Sequence, residues 1–323
     1  MSTPTSEKRA KKGRWAKRLL TLAFFILVAV LLFMLVRNLD WQEVKHALQS
    51  YRVTTLALGG LIALLSYAVF SSYDLVGRHY TEHTLRARQI LPLAFVCYAF
   101  NLNLGAWVGG VALRFRLYSK LGLDVPTITR ILTFGWITNW LGYLLVAGTV
   151  FALGFPDLPG TFKIGAGGLR LIGVLLVALA MLYLLACRFA KRRTWTVRKH
   201  EITLPSFKLA ALQASLGVTN WCLMAALIYL LLPDKGGYPS ILATLLISSI
   251  AGVITHIPAG LGVLETVFIT LQHDQYSKGT LLAALIGYRA LYFLMPLAIA
   301  CVVYLVLERR NRSTKAHHRD QTT

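Results

Sequence analysis

Long apolar runs separated by short basic clusters set the pattern of this chain. Runs at Leu19 to Val36, about Val53 to Tyr73, about Ile128 to Leu153, about Leu169 to Cys187, about Leu209 to Leu232 and about Thr280 to Leu307 are long enough to cross a bilayer as helices. Two further apolar runs are interrupted. Ile90 to Leu113 contains Asn101, Asn103, Gly105, Gly109 and Gly110, and Ser248 to Phe268 contains Pro258, Gly260 and Gly262. A lipid-exposed helix does not tolerate such breaks, because no water is present to satisfy the freed backbone groups. The breaks must therefore face protein or a wet cavity.

Charge decides how the broken runs are used. The first ends on Arg114, Arg116 and Lys120, and a plain crossing would put that cluster outside, against the positive-inside bias. A re-entrant hairpin that enters and leaves from the cytoplasm removes the conflict, and the second broken run then enters and leaves from the outside. With both termini inside, 26 of the 34 Lys and Arg fall on cytoplasmic segments, and Arg289 alone is left within a span. The expected fold is all-α and polytopic, with six full spans plus two re-entrant broken helical hairpins.

Read in order, span, span, hairpin and span recur inverted after about 150 residues, as in transporters built from inverted repeats. Repeat one covers about 19–155 and repeat two about 169–307, between a basic cytoplasmic head at 1–18 and a basic cytoplasmic tail at 308–323. At that displacement WVGGVALRF lies over PAGLGVLET, so that Gly109 falls on Gly260 and Arg114 on Glu265. Trp41, Val44, Leu48 and Tyr51 recur at helical spacing and predict a short interfacial helix, and the alternating TWTVRKHEITL predicts a small cytoplasmic hairpin.

Composition narrows the function class. The chain is 56% hydrophobic over 323 residues, which leaves no room for a large soluble domain. Its net charge of +21 lies between apolar runs rather than in a finger or helix-turn-helix pattern, so membrane orientation explains it and no nucleic-acid partner is expected. Cys97, Cys187, Cys222 and Cys301 show no metal-ligand spacing and read as small core residues, and neither metal nor cofactor is expected. The first run follows a basic head without a small-residue cleavage site, which favours a retained anchor.

Two charged residues stand deep in apolar segments. Glu265 follows the second break by less than a turn, and an ionised carboxylate there costs about 2.5 kcal/mol or more without a partner. Arg289 lies about a third of the way along the last span, and the two are the obvious pair. The plainer alternative is a structural brace between the second hairpin and the last span. Arg114 and Arg116 can grip a phosphate with two prongs where a snorkelling Lys would not, or else serve only as topology anchors. Asn103 offers hydrogen bonds at the first break. His256, beside Pro258, reads more readily as a satisfied buried imidazole than as a ligand.

The PAGLGVLE run, the later GYRALYFLMP, the NLNLGAWVGG run and the LDWQEV after the first span resemble the lysylphosphatidylglycerol synthase transmembrane-region family. That resemblance implies a relation to the flippase half of bacterial proteins that aminoacylate phosphatidylglycerol and move the product across the membrane. The synthases carry a soluble aminoacyl-transferase domain after the membrane part; here the chain ends in a short basic tail, so aminoacylation is not expected. Relatives often show a Gly-Glu pair where Ala112 and Leu113 stand here.

The favoured function is a phospholipid transporter of the bacterial inner membrane. Its substrate would be an anionic phospholipid, because a basic inner face attracts anionic headgroups, or an aminoacylated one, as the resemblance implies. A small-solute or ion transporter is the first alternative and an accessory protein or enzyme of lipid metabolism the second. An enzyme is disfavoured because the membrane interior shows one deep carboxylate and no catalytic constellation. A second copy of the chain, or a lipid-synthesis enzyme, is the other kind of partner left open.

Overall fold

The computed structural model describes residue 30 and residues 41–320, apart from 157–164, 192, 198–199, 234–235 and 256–259. The expected head and first span, and the residues His256 and Pro258, lie outside the described residues. The chain divides into two compact units, 1–42 and 43–323, and the fold below is that of the second.

Helix α1, Trp41–Gln49, begins with Glu43 in its first turn, and α2, Val53–Thr81, follows. The 29 residues of α2 span about 43 Å at 1.5 Å per residue, more than the stretch to Tyr73 that apolar content alone delimits. The excess turns hold Asp74, which is buried although it follows the end of the apolar run.

α3, Ala87–Leu104, stops where Gly105 takes φ +87°. A π-helical turn, Ala106–Ala112, then leads into α4, Leu113–Lys120, and the chain doubles back on α3. Gly109 sits so close to the Phe100 and Asn101 backbone that a Cβ there would lie 2.1 Å from the Phe100 carbonyl carbon. Only glycine permits this approach.

α5, Val125–Ala152, is the central helix, with Pro126 in its first turn, where the missing N–H costs nothing. Gly142 meets Gly217 of α7, Phe207–Leu231, and Gly148 meets Gly173 of α6, Gly165–Phe189, each pair at backbone contact. Small residues let the helices approach closely, which is how apolar helices hold together when lipid is as greasy as their side chains. α6 contacts the bundle along a narrow stripe and exposes Leu171, Val174, Leu175 and Leu182. The expected hairpin is present: β1, Thr194–Val197, pairs antiparallel with β2, His200–Thr203.

α8, Tyr238–Thr255, leads to the second break, and α9, Val263–Gln272, runs back along it. Gln272 at the end of α9 donates to the Ser240 hydroxyl and Thr244 hydroxyl at the start of α8, which fixes the antiparallel register. α10, Lys278–Arg289, a π-helical turn, Ala290–Leu294, and α11, Met295–Asp320, form one long helix. Pro296 has no N–H to offer the Tyr292 carbonyl, which instead accepts from the Tyr67 hydroxyl at 3.0 Å. Among the described residues, six helices or helix runs are long and apolar enough to cross a membrane: α2, α5, α6, α7, α8 and Lys278–Arg309.

Two ends of this bundle are marked by contacts. Tyr80 near the end of α2 donates to Thr203, Arg130 near the start of α5 lies over the Tyr80 ring, and Lys120 at the end of α4 pairs with Glu308 of α11. At the other end, Tyr51 donates to the last carbonyl of α7, Leu231, and Tyr229 packs edge-on against Tyr238, the first residue of α8. The end that gathers Arg130, Lys120 and Glu308 is the basic one.

Candidate functional site

Two ion pairs lie within the bundle, one at each broken element. At the second, Arg289 donates from Nε to Glu265 Oε1 at 2.7 Å and from Nη2 to Oε2 at 3.1 Å. Glu265 stands in the first turn of α9, where the free N–H groups favour a negative charge. Nη2 of Arg289 also donates to the Gly260 carbonyl at 3.1 Å, so the guanidinium satisfies a backbone group at the break. The pairing expected from the sequence is therefore present.

The first broken element holds a pair the sequence reading missed. Arg114 Nε donates to Asp74 Oδ2 at 3.1 Å and Nη2 to Oδ1 at 3.0 Å, and the Tyr118 hydroxyl donates to Oδ2 at 2.8 Å. Asp74 is 1% exposed and Arg114 6%. Glu265 is thus not the sole deep carboxylate. Nor is Arg114 an open fork, because two of its three nitrogens are turned onto Asp74. Arg116 lies apart from it, with Nη2 3.7 Å from Glu308 beside Lys120. The two arginines do not form one phosphate clamp, since a spacing of two residues on a helix turns them to different faces.

Asn103 is also engaged. Its amide donates to the Ala99 carbonyl and to Phe293 across the helix interface, and the residue is 4% exposed. This contact carries a second meaning. Phe293 lies one turn beyond Arg289, so the tip of the first broken element and the break of the second meet the last long helix at the same place. There it is π-helical and carries Tyr292, whose hydroxyl joins Ser66 and Tyr98 at 2.8 and 2.9 Å. Ser66 in turn donates to Asn220 of α7.

Beside Tyr98 opens a cavity of about 160 Å³ between α2, α3, α4, α5 and α7. Asp74 and Arg114 lie at one end of it and Asn101 and Asn139 face it with amides, while Trp136 and Trp221 form aromatic wall. Gly110 contributes backbone, held against the Asn101 side chain. Asp74 is seven residues from the end of α2 and Asn139 fourteen from the start of α5, which sets the cavity about 10 to 21 Å from the basic end. Trp136 is 51% exposed on the outer face of α5, with Ile137 and Trp140 beside it also exposed. The cavity wall is therefore also part of an exposed apolar flank. Trp136 and Trp221 carried no signal in the sequence, where aromatics in apolar helices look like core.

Residues 19–300 match the family model described as lysylphosphatidylglycerol synthase TM region. The inner membrane protein YbhN of Escherichia coli is 45% identical, covering 96% of this chain and 98% of that one. An uncharacterized protein of Synechocystis is 30% identical over 85% of this chain and 88% of its own length. The phosphatidylglycerol lysyltransferase of Bacillus subtilis is 23% identical over 83% of this chain, and that match occupies 32% of the enzyme.

Proposed function

Because the chain belongs to the lysylphosphatidylglycerol synthase transmembrane-region family, we propose that it is a phospholipid transporter of the bacterial inner membrane. It passes the headgroup along a polar route while the acyl chains stay in the bilayer. The observation that carries this reading is the placement of the Asp74–Arg114 cavity. It is polar and charged at depth, and one of its walls, Trp136, is half exposed on the surface of the bundle. A route for a soluble solute would instead be walled on all sides. The similarity to about a third of a phosphatidylglycerol lysyltransferase favours a lipid cargo too.

The two broken elements are, in this reading, re-entrant hairpins of an inverted repeat. Several observations support it: each doubles back on itself, they start from opposite ends of the bundle, and each carries a charged residue just past its break that is paired with a long helix. Both termini are cytoplasmic, on the side of Lys120 and Glu308. Transport is favoured over catalysis because both deep carboxylates are held two-pronged by arginines, so neither stands free as a general acid or base.

The test is reconstitution of the full chain in proteoliposomes with a headgroup-resolved assay of lipid movement between leaflets. Accelerated movement of at least one phospholipid over protein-free vesicles is expected. Movement of a soluble solute with no lipid movement would overturn the reading.

A further inference from the structure

The charge balance inside the cavity says more about the cargo than the basic flanks of the chain do. Of the residues lining it, Asp74 and Arg114 alone carry formal charge at neutral pH, and they cancel. The arginine that the sequence offers to an anionic headgroup is thus neutralised before any ligand arrives. A headgroup with net negative charge would leave an unbalanced charge in a poorly hydrated site, where such an imbalance is costly. A headgroup with one phosphate and one ammonium would not.

Both charged residues keep unused capacity of the right kind. Nη1 of Arg114 has no partner among the described residues, although the side chain is 93% buried, and Arg114 lines the cavity. The Asp74 carboxylate has about four acceptor positions, of which Arg114 and Tyr118 take three. The Trp136 and Trp221 rings in the same wall offer the electron-rich faces that attract an ammonium. The cavity is small: about 160 Å³, against the roughly 300–1,000 Å³ of sites that enclose a drug-sized ligand. It can take a compact headgroup and no acyl chain.

We infer that this cavity is the headgroup site, and that it selects a compact zwitterionic phospholipid of the phosphoethanolamine type over an anionic one. The phosphate meets Arg114 Nη1 and the ammonium meets Asp74 and the tryptophan wall. The inference rests on the lipid-transport reading above and adds the class of lipid.

Proteoliposomes of the full chain, doped with acyl-labelled phosphatidylethanolamine or phosphatidylglycerol, separate the possibilities. The ethanolamine lipid should move faster by about tenfold, roughly the worth of one hydrogen bond to a charged group. Asp74→Asn leaves the cavity positive and should reverse the preference. Trp136→Leu keeps an apolar side chain at a half-exposed position; it should slow the ethanolamine lipid roughly fivefold more than the glycerol lipid and so narrow the preference. Equal or faster movement of phosphatidylglycerol by the wild type would overturn the selectivity while leaving lipid transport standing. No movement of either lipid would instead remove the transport reading beneath it. Uptake of free phosphoethanolamine, with both lipids unmoved, would assign the same chemistry to a soluble cargo and overturn the inference.

Discussion

Arg114 and Asp74 are 40 residues apart in sequence and share two hydrogen bonds of 3.0 and 3.1 Å in the interior of the bundle. The pair ties α4 to α2, and so fixes the return arm of the first broken element against a long helix. Removing one partner leaves the other charge buried and uncompensated, at roughly 3 to 5 kcal/mol. Asp74→Asn and Arg114→Gln should each lower thermal stability in detergent, and the double variant should lose less than the sum of the two. Additive losses would mean that the pair is not coupled.

The pair at the second break is tested differently, because it separates a brace from a site. Glu265→Gln and Arg289→Gln should each reduce abundance, and the double neutral variant should recover it. If Glu265 or Arg289 also meets the cargo or a coupling proton, the double variant recovers abundance and transport stays low. Full recovery of both abundance and transport would make the pair a brace and nothing more.

Lys120 lies 2.6 Å from Glu308, so the end of α4 and the Glu308 turn of α11 share one side. Cysteines at 120 and 308 should cross-link under mild oxidation. A cysteine at 120 should resist a membrane-impermeant thiol reagent applied to intact cells, and one at His273 should react. Labelling at 120 from outside would contradict the topology.

Glycine contacts make the sharpest stability contrast. Gly109→Ala would press a methyl into the Phe100 backbone and should cost about 3 kcal/mol or more, the upper end for overpacking. Gly252→Ala in α8 meets nothing within 4 Å and should be neutral, or stabilising by about 0.5–1 kcal/mol through helix propensity. Comparable thermal shifts for the two would remove the close approach as an explanation of the fold-back.

Much of this arrangement is readable from the sequence because hydrocarbon makes misplaced residues expensive. Glu265 and Arg289 stand alone in apolar surroundings, and each therefore implies the other. The two breaks announce themselves by glycine and proline where a helix should continue. Asp74 gives no such signal: it follows an apolar run and precedes Arg78, Glu82, Arg86 and Arg88, and so looks like the first residue in water. Its burial becomes visible only when Arg114 is brought to it by the fold-back at Gly105. Asn101 and Asn103 likewise look equivalent in sequence. Two residues on a helix separate their directions, so one faces the cavity and the other binds Phe293.

The convergence of both breaks on the turn between Arg289 and Phe293 also bears on bilayer thickness. Unassisted flip-flop must carry a headgroup through the whole hydrocarbon layer, about 30 Å, and slows as the acyl chains lengthen. Here the tip of one broken element and the break of the other touch the same turn of one helix. The apolar distance that remains is set by side chains of this protein and not by its host. Transport should then vary little between short-chain and long-chain vesicles that slow the background by different amounts, and the ratio of catalysed to spontaneous movement should be greatest in the thickest membrane.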